Sequence, residues 1–186
     1  MRRYVVWAGR LAALIGVVGS AFLIGLQLAG NFHEVIPGEL YRAAQPSSGQ
    51  IERYVRQYGI RTIVNLRGPS SAPWYVGELA TSERLGVKHF NFGMSSSKPF
   101  TLARAKELVA LLRDAPKPIL IHCRSGADRT GLASLIYLQQ IAGVDEETAE
   151  QQLSIRFGHF GIPVLSPTFA MDESWEALEE AFGLAS

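Results

Sequence analysis

Within His122-Cys123-Arg124-Ser125-Gly126-Ala127-Asp128-Arg129-Thr130-Gly131, the sole cysteine of the chain stands six positions before an arginine. An apolar run at 118–121 precedes it and another at 132–138 follows, so the pattern predicts strand, loop and helix. Such a loop aims backbone N–H groups and a helix N-terminus at one point, which is an anion site. A thiol at its head and a guanidinium at its end equip that site to cleave a phosphate ester. The N–H dipoles, the helix N-terminus and a nearby arginine all favour the thiolate of Cys123, the attacking form. The planar fork of Arg129 suits two phosphoryl oxygens and should hold them better as the group flattens in transfer. Thr130 is placed to donate to the sulfur when water releases the phosphocysteine. Gly126 and Gly131 admit backbone geometry and close packing that a side chain would hinder. Arg124, Ser125, Gly126, Ala127, Asp128 and Arg129 would form the phosphate cradle, with His122 orienting it by hydrogen bonding. The alternative, a cysteine buried as a small core hydrophobe, fits poorly with the polar run that follows it.

The elements that must hold this loop alternate between strand and helix. The residues predict a hairpin at 32–42, a helix at 49–58 stopped by Gly59, and a strand at 62–66. Next come a helix at 74–85 stopped by Gly86, a strand at 87–92, and a helix to Arg113 capped by Thr101. Further helices are expected from about Glu146 and near 169–182. This is an α/β domain with a central, mostly parallel sheet flanked by helices. A net charge of +1 offers no basic face for nucleic acid.

The signature run resembles the His-Cys-x5-Arg-Thr/Ser motif of the cysteine-dependent tyrosine and dual-specificity phosphatases. Its Gly-x-Asp-Arg-Thr-Gly ending is common in bacterial and atypical members. Leu40-Tyr41-Arg42-Ala43-Ala44-Gln45-Pro46 and Gly59-Ile60-Arg61-Thr62-Ile63-Val64-Asn65-Leu66-Arg67-Gly68 resemble the leader of that atypical group. The likeness covers roughly residues 32–141. It implies two-step hydrolysis of phosphomonoesters with no metal or other cofactor, since the loop brings the positive charge a metal would supply. Rhodanese-type sulfur transfer also uses a cysteine at the head of such a loop, but that loop is not expected to end in Asp-Arg-Thr-Gly.

One departure matters. Most members of the family draw a general-acid aspartate from a mobile loop ahead of the catalytic strand, whereas here the only carboxylate in residues 87–113 is Glu107, inside a predicted helix. Asp128 remains either as the acid, a role proposed in some lipid-directed relatives, or as a brace bonded to backbone, Arg42 or Arg67. His89 is a weaker candidate. Arg67 could meet phosphate, Ser95, Ser96, Ser97 and Lys98 fill the place of the acid loop, and Trp74 and Tyr75 pack on substrate or in the core. A non-catalytic phosphate-binding module is the reading from another class.

Residues 11–29 carry no charge and only Ser20 and Gln27 as polar side chains, and nineteen residues at helical rise cover the ~30 Å hydrocarbon core. Residues 1–30 are therefore expected to be a basic flank and a transmembrane anchor, and 31–186 the phosphatase domain. A cleaved signal peptide is the rival reading, although the run is long for one and no Ala-x-Ala precedes Gly30. Arg2, Arg3 and Arg10 before the span, against Glu34, Glu39 and Arg42 after it, put the domain on the non-cytoplasmic side, periplasmic in a bacterium. A lone cysteine is compatible with that compartment, and a cytoplasmic domain stays open. With the anchor, the resemblance makes a lipid phosphate such as phosphatidylglycerophosphate the favoured substrate. Phosphotyrosine or dual-specificity protein substrates come second and inositol phosphates third.

Overall fold

The structure is a computed structural model that describes residues 2–184. Met1 of the expected basic flank lies outside the described residues, as do Ala185, Ser186 and the side chains of Arg2 and Arg3. Helix α1 (Arg2–Leu28) leads into strands β1 (His33–Ile36) and β2 (Leu40–Ala43). Helix α2 (Ser48–Tyr58), β3 (Thr62–Asn65), α3 (Pro73–Leu85), β4 (Lys88–Asn91) and α4 (Leu102–Asp114) follow. The chain then runs through β5 (Ile119–His122), α5 (Asp128–Gln140), α6 (Glu146–Glu150), two single 3₁₀ turns and α7 (Ala170–Phe182). The sequence signals act where expected. Gly59 and Gly86 end α2 and α3 in the left-handed conformation, and the Thr101 side chain accepts from the Arg104 N–H.

The five strands order as β1-β2-β5-β3-β4, antiparallel only at β1–β2. The sheet is thus mixed, with parallel pairing wherever β5 takes part. All four β5 residues are fully buried, and alternation sorts the faces. Ile119 and Ile121 join Leu40, Val64, Leu108 and Leu132 on one side, while Leu120 joins Tyr41, Ile51 and Ile63 on the other. Helix α5 is buried along Thr130–Leu138, so its residues are apolar or small around most of its circumference. His122 pairs in register with Ala43 of β2 and Asn65 of β3, so three parallel strands end level beneath one loop. Ligand sites of open α/β sheets gather at such carboxyl ends.

Helix α1 closes with the Gly30 N–H donating to the Gln27 carbonyl and the Asn31 N–H to that of Leu26, with Gly30 and Asn31 at φ 77° and 43°. Its stretch Gly9–Leu28 is long and apolar enough to cross a membrane by length and composition.

Candidate active site

The loop begins at Cys123, 1 % exposed, and ends earlier than the sequence suggests, because α5 starts at Asp128. Arg129, Thr130 and Gly131 therefore occupy the first turn of the helix rather than the loop before it, and their polar chemistry masks the helical pattern. Gly126 adopts φ 72°, and a Cβ there would lie 2.6 Å from Ala43 C and Ala44 N. At Gly131 a Cβ would come 2.7 Å from the Gln152 carbonyl oxygen. Gly126 is thus required by conformation and by contact, Gly131 by contact alone.

Arg42, fully buried, braces the loop from below. One terminal nitrogen donates to the carbonyls of Gly126 (2.8 Å) and Ala127 (3.2 Å), the other to Gln152 O and Oε1 at 2.9 and 2.7 Å. Its guanidinium lies 3.8 Å from the Phe157 ring centroid. Burial, against the attraction of Cys123 and Asp128, lowers its pKa to about 9. Asn31, 1 % exposed, donates through Nδ2 to the carbonyls of Ser125 (2.9 Å) and Phe157 (2.8 Å), and Gln27 Nε2 adds a third bond to Ser125 at 3.1 Å.

On the strand side, Glu78 is the hub. It accepts from Gln45 at 2.5 Å and pairs with His89 (2.7 Å) and with His122 Nε2 (3.1 Å). Burial alone would raise the Glu78 carboxyl, but hydrogen bonds from His122, His89 and Gln45 override it and hold it at about 2. Gln45 also accepts from Arg67 at 2.9 Å, its own N–H donating to the Arg124 carbonyl at 3.2 Å, and Arg67 stacks 3.7 Å from the Trp74 ring centroid. Burial and the charges of Arg129 and Arg124 lower the Arg67 pKa. Arg67 thus feels two further guanidiniums as well as Cys123, a concentration of positive charge that suits an anion. His122 makes its hydrogen bond to Glu78 rather than to the loop, and His89 is likewise paired with Glu78.

Arg129 donates over long distances, 3.3 Å to the Met94 carbonyl and 3.5 Å to that of Leu66. The segment standing where an acid loop is expected thus reaches Arg129 through backbone and brings no carboxylate. Thr130 Oγ1 is buried with no hydrogen-bond partner among the described residues, the Cys123 sulfur included. Asp128 bonds neither Arg42 nor Arg67. Its Oδ1 meets His159 Nδ1 at 2.8 Å, and Nε2 of that ring meets Asp172 at 2.9 Å. Burial would lower the His159 pKa, but the bond to Asp128 and the charge of Asp172 raise it above the ordinary value.

His159, Glu78, Gln152 and Asn31 were not legible as site residues. A carboxylate at 78, on the same face of α3 as Tyr75, was the one available signal, since buried stripes exclude lone charges. A separate cavity of about 530 Å³, lined by Val35, Ile36 and Phe157 among others, includes no residue of 122–131.

A family model described as tyrosine phosphatase family matches residues 24–152. Inositol diphosphatase SIW14 of Saccharomyces cerevisiae is 34 % identical over 108 residues, covering 54 % of this chain but 36 % of the yeast protein. The chain thus aligns with about a third of that relative's length. Among solved structures, P. aeruginosa TpbA in complex with pTyr superposes at a TM-score of 0.57 with 20 % identity, covering 77 % of this chain and 91 % of its own. PTPMT1 superposes at 0.59 with 15 % identity over 83 % and 99 %. At these identities the two structures bear on the fold.

Proposed function

The chain belongs to the tyrosine phosphatase family, and from that premise we propose that it hydrolyses phosphomonoesters through a phosphocysteine, as a membrane-anchored enzyme whose substrate is a lipid phosphate. Cys123 attacks phosphorus, while the amides of 124–129 and the fork of Arg129 hold the equatorial oxygens. Thr130, whose buried hydroxyl has no other partner, donates to the departing thiolate in the second step. Asp128 protonates the leaving oxygen and then activates water. His159, hydrogen-bonded to Asp128 and backed by Asp172, keeps that carboxylate supplied with a proton. The observation that carries the phosphatase reading is the buried Cys123 at the head of a tight loop, held from behind by Arg42 and Asn31, that runs into the first turn of α5 with Arg129.

A lipid phosphate such as phosphatidylglycerophosphate is favoured because the end of α1 is built into the phosphate loop. Gln27 and Asn31 share the Ser125 carbonyl, so residues 1–30 act as an anchor that delivers the domain of 31–186 to a headgroup. Arg2, Arg3 and Arg10 before the span outnumber Arg42 soon after it, which supports a domain on the non-cytoplasmic side. Full-length protein in mixed micelles, offered phosphatidylglycerophosphate, a phosphotyrosine peptide and an inositol diphosphate, with Cys123→Ser as blank, tests the reading. Lipid turnover at least tenfold above the others supports it. Preference for either alternative transfers the assignment to that substrate. Equal inertness of wild type and Cys123→Ser leaves a binding module.

A further inference from the structure

Between Arg156 and Asp172 lie fifteen residues whose only ionisable side chain is His159. A stretch so apolar is ordinarily packed inward, yet Ile162, Val164 and Leu165 are 48, 102 and 78 % exposed. The exposure is built in. The Ile162 carbonyl accepts from the N–H groups of Leu165 (3.2 Å) and Ser166 (2.9 Å), closing a turn around Pro163. Val164 at its tip has φ 67°, a conformation a β-branched residue adopts only under strain. Backbone strain is therefore tolerated in order to present an apolar tip outward.

The root of this tip fixes where it points. His159 is clamped between Asp128 and Asp172, and Gly158 beside it faces α1. A Cβ at Gly158 would lie 3.6 Å from the side chains of Leu23 and Leu26 and 4.0 Å from the Ala127 Cβ. Among the described side chains of the apolar span, Leu23 and Leu26 are half-buried rather than exposed, and they belong to its last two turns. A helix that carries them into hydrocarbon brings Gly158, and the tip rooted on it, to the bilayer surface.

We propose that residues 160–165 form a second membrane contact, an uncharged wedge seated at the boundary of headgroups and acyl chains beside α1. The inference rests on the reading of α1 as an anchor and goes beyond it, because one helix tethers a domain without orienting it. Two contacts, one through α1 and one through the tip that follows the His159 bonded to Asp128, fix the tilt of the phosphate loop against the lipid surface. Penetration of ~5–10 Å is what amphipathic interfacial segments reach. Arg156, exposed at the root, is placed to meet an anionic headgroup.

Site-directed labelling of the full-length protein decides it. Cys123→Ser removes the one native thiol, and an environment-sensitive fluorophore is then attached at Val164→Cys, at Ile24→Cys in the span, or at Arg53→Cys on exposed α2. Each is reconstituted in vesicles of phosphatidylcholine and phosphatidylglycerol containing nitroxide-labelled lipid. The expected result is several-fold quenching at 24 and 164 and little at 53. Quenching at 24 alone overturns the wedge and leaves the anchor standing. Absence of quenching at both 24 and 164 overturns anchor and wedge together. A probe at 164 that is dark to lipid but self-quenches between labelled copies overturns it in favour of a dimer contact.

Discussion

Cys123 and Arg129 are the residues whose chemistry was readable from type and spacing alone, because an anion loop demands them in sequence order. Their supports were not, since hydrogen bonds between residues far apart in the chain leave no spacing to read. Asp128 illustrates the gap. The sequence left it as an acid or as a brace bonded to backbone, Arg42 or Arg67, yet Arg42 is spent on the carbonyls of Gly126 and Ala127, and Asp128 turns to His159. If the pair serves as proton source, Asp128→Asn and His159→Asn both slow alkyl phosphates at least tenfold more than an activated aryl phosphate, which needs no acid. The raised His159 pKa adds a direction. Its ion pairs are fully formed below the ordinary value of 6.5 and are lost as pH climbs through the raised one. Turnover of alkyl phosphates is expected to fall in that alkaline window, and equal slowing of both substrates would remove the acid role. For Thr130→Ala the first step is preserved and the second slows, so a rapid-quench burst of leaving group grows to one equivalent per enzyme. Gly126→Ala meets Ala43 backbone at 2.6 Å in a left-handed conformation and is expected to cost about 2–4 kcal/mol by urea denaturation.

Among the elements, those closed by local signals came out as expected: α2 and α3 by their terminal glycines, α4 by Thr101. The start of α5 did not, because Asp128-Arg129-Thr130-Gly131 reads as loop chemistry while its backbone is already helical. The order β1-β2-β5-β3-β4 also lies beyond local pattern, since strands buried on both faces, as β2, β3 and β5 are, do not reveal which neighbour they take. Helix α3 shows what a buried exception means. Glu78 lies on the buried face with Tyr75, Thr81 and Ser82 to hold His122 and His89, and its carboxyl is kept down at about 2. That depression contributes stability present above pH 4.5 and lost as pH falls toward 2, on the order of 3 kcal/mol. Glu78→Gln should flatten the acid limb of a stability–pH curve, and an unchanged limb would place the network's energy elsewhere.

Across the whole molecule, the expected division at residue 30 meets a joint rather than a linker. Gly30 accepts from the Ala44 N–H at 2.8 Å, and Gln27 reaches the phosphate loop. A chain begun at Leu23 is expected to retain aryl phosphatase activity within about twofold of the full chain. One begun at Phe32 loses roughly tenfold or more, having removed the Asn31 and Gln27 donors to Ser125, about 1 kcal/mol apiece. Equal activities would show that the loop holds itself. The consequence reaches to how such a protein can be inherited and rebuilt. A membrane helix joined through a loose tether is an exchangeable part, replaceable by any other of the same length. On the proposed reading of α1 as an anchor, its final turn is shared between two trades, fastening and chemistry, so a graft that respects the bilayer but ignores Gln27, Gly30 and Asn31 would deliver the enzyme to its address with its tool out of true.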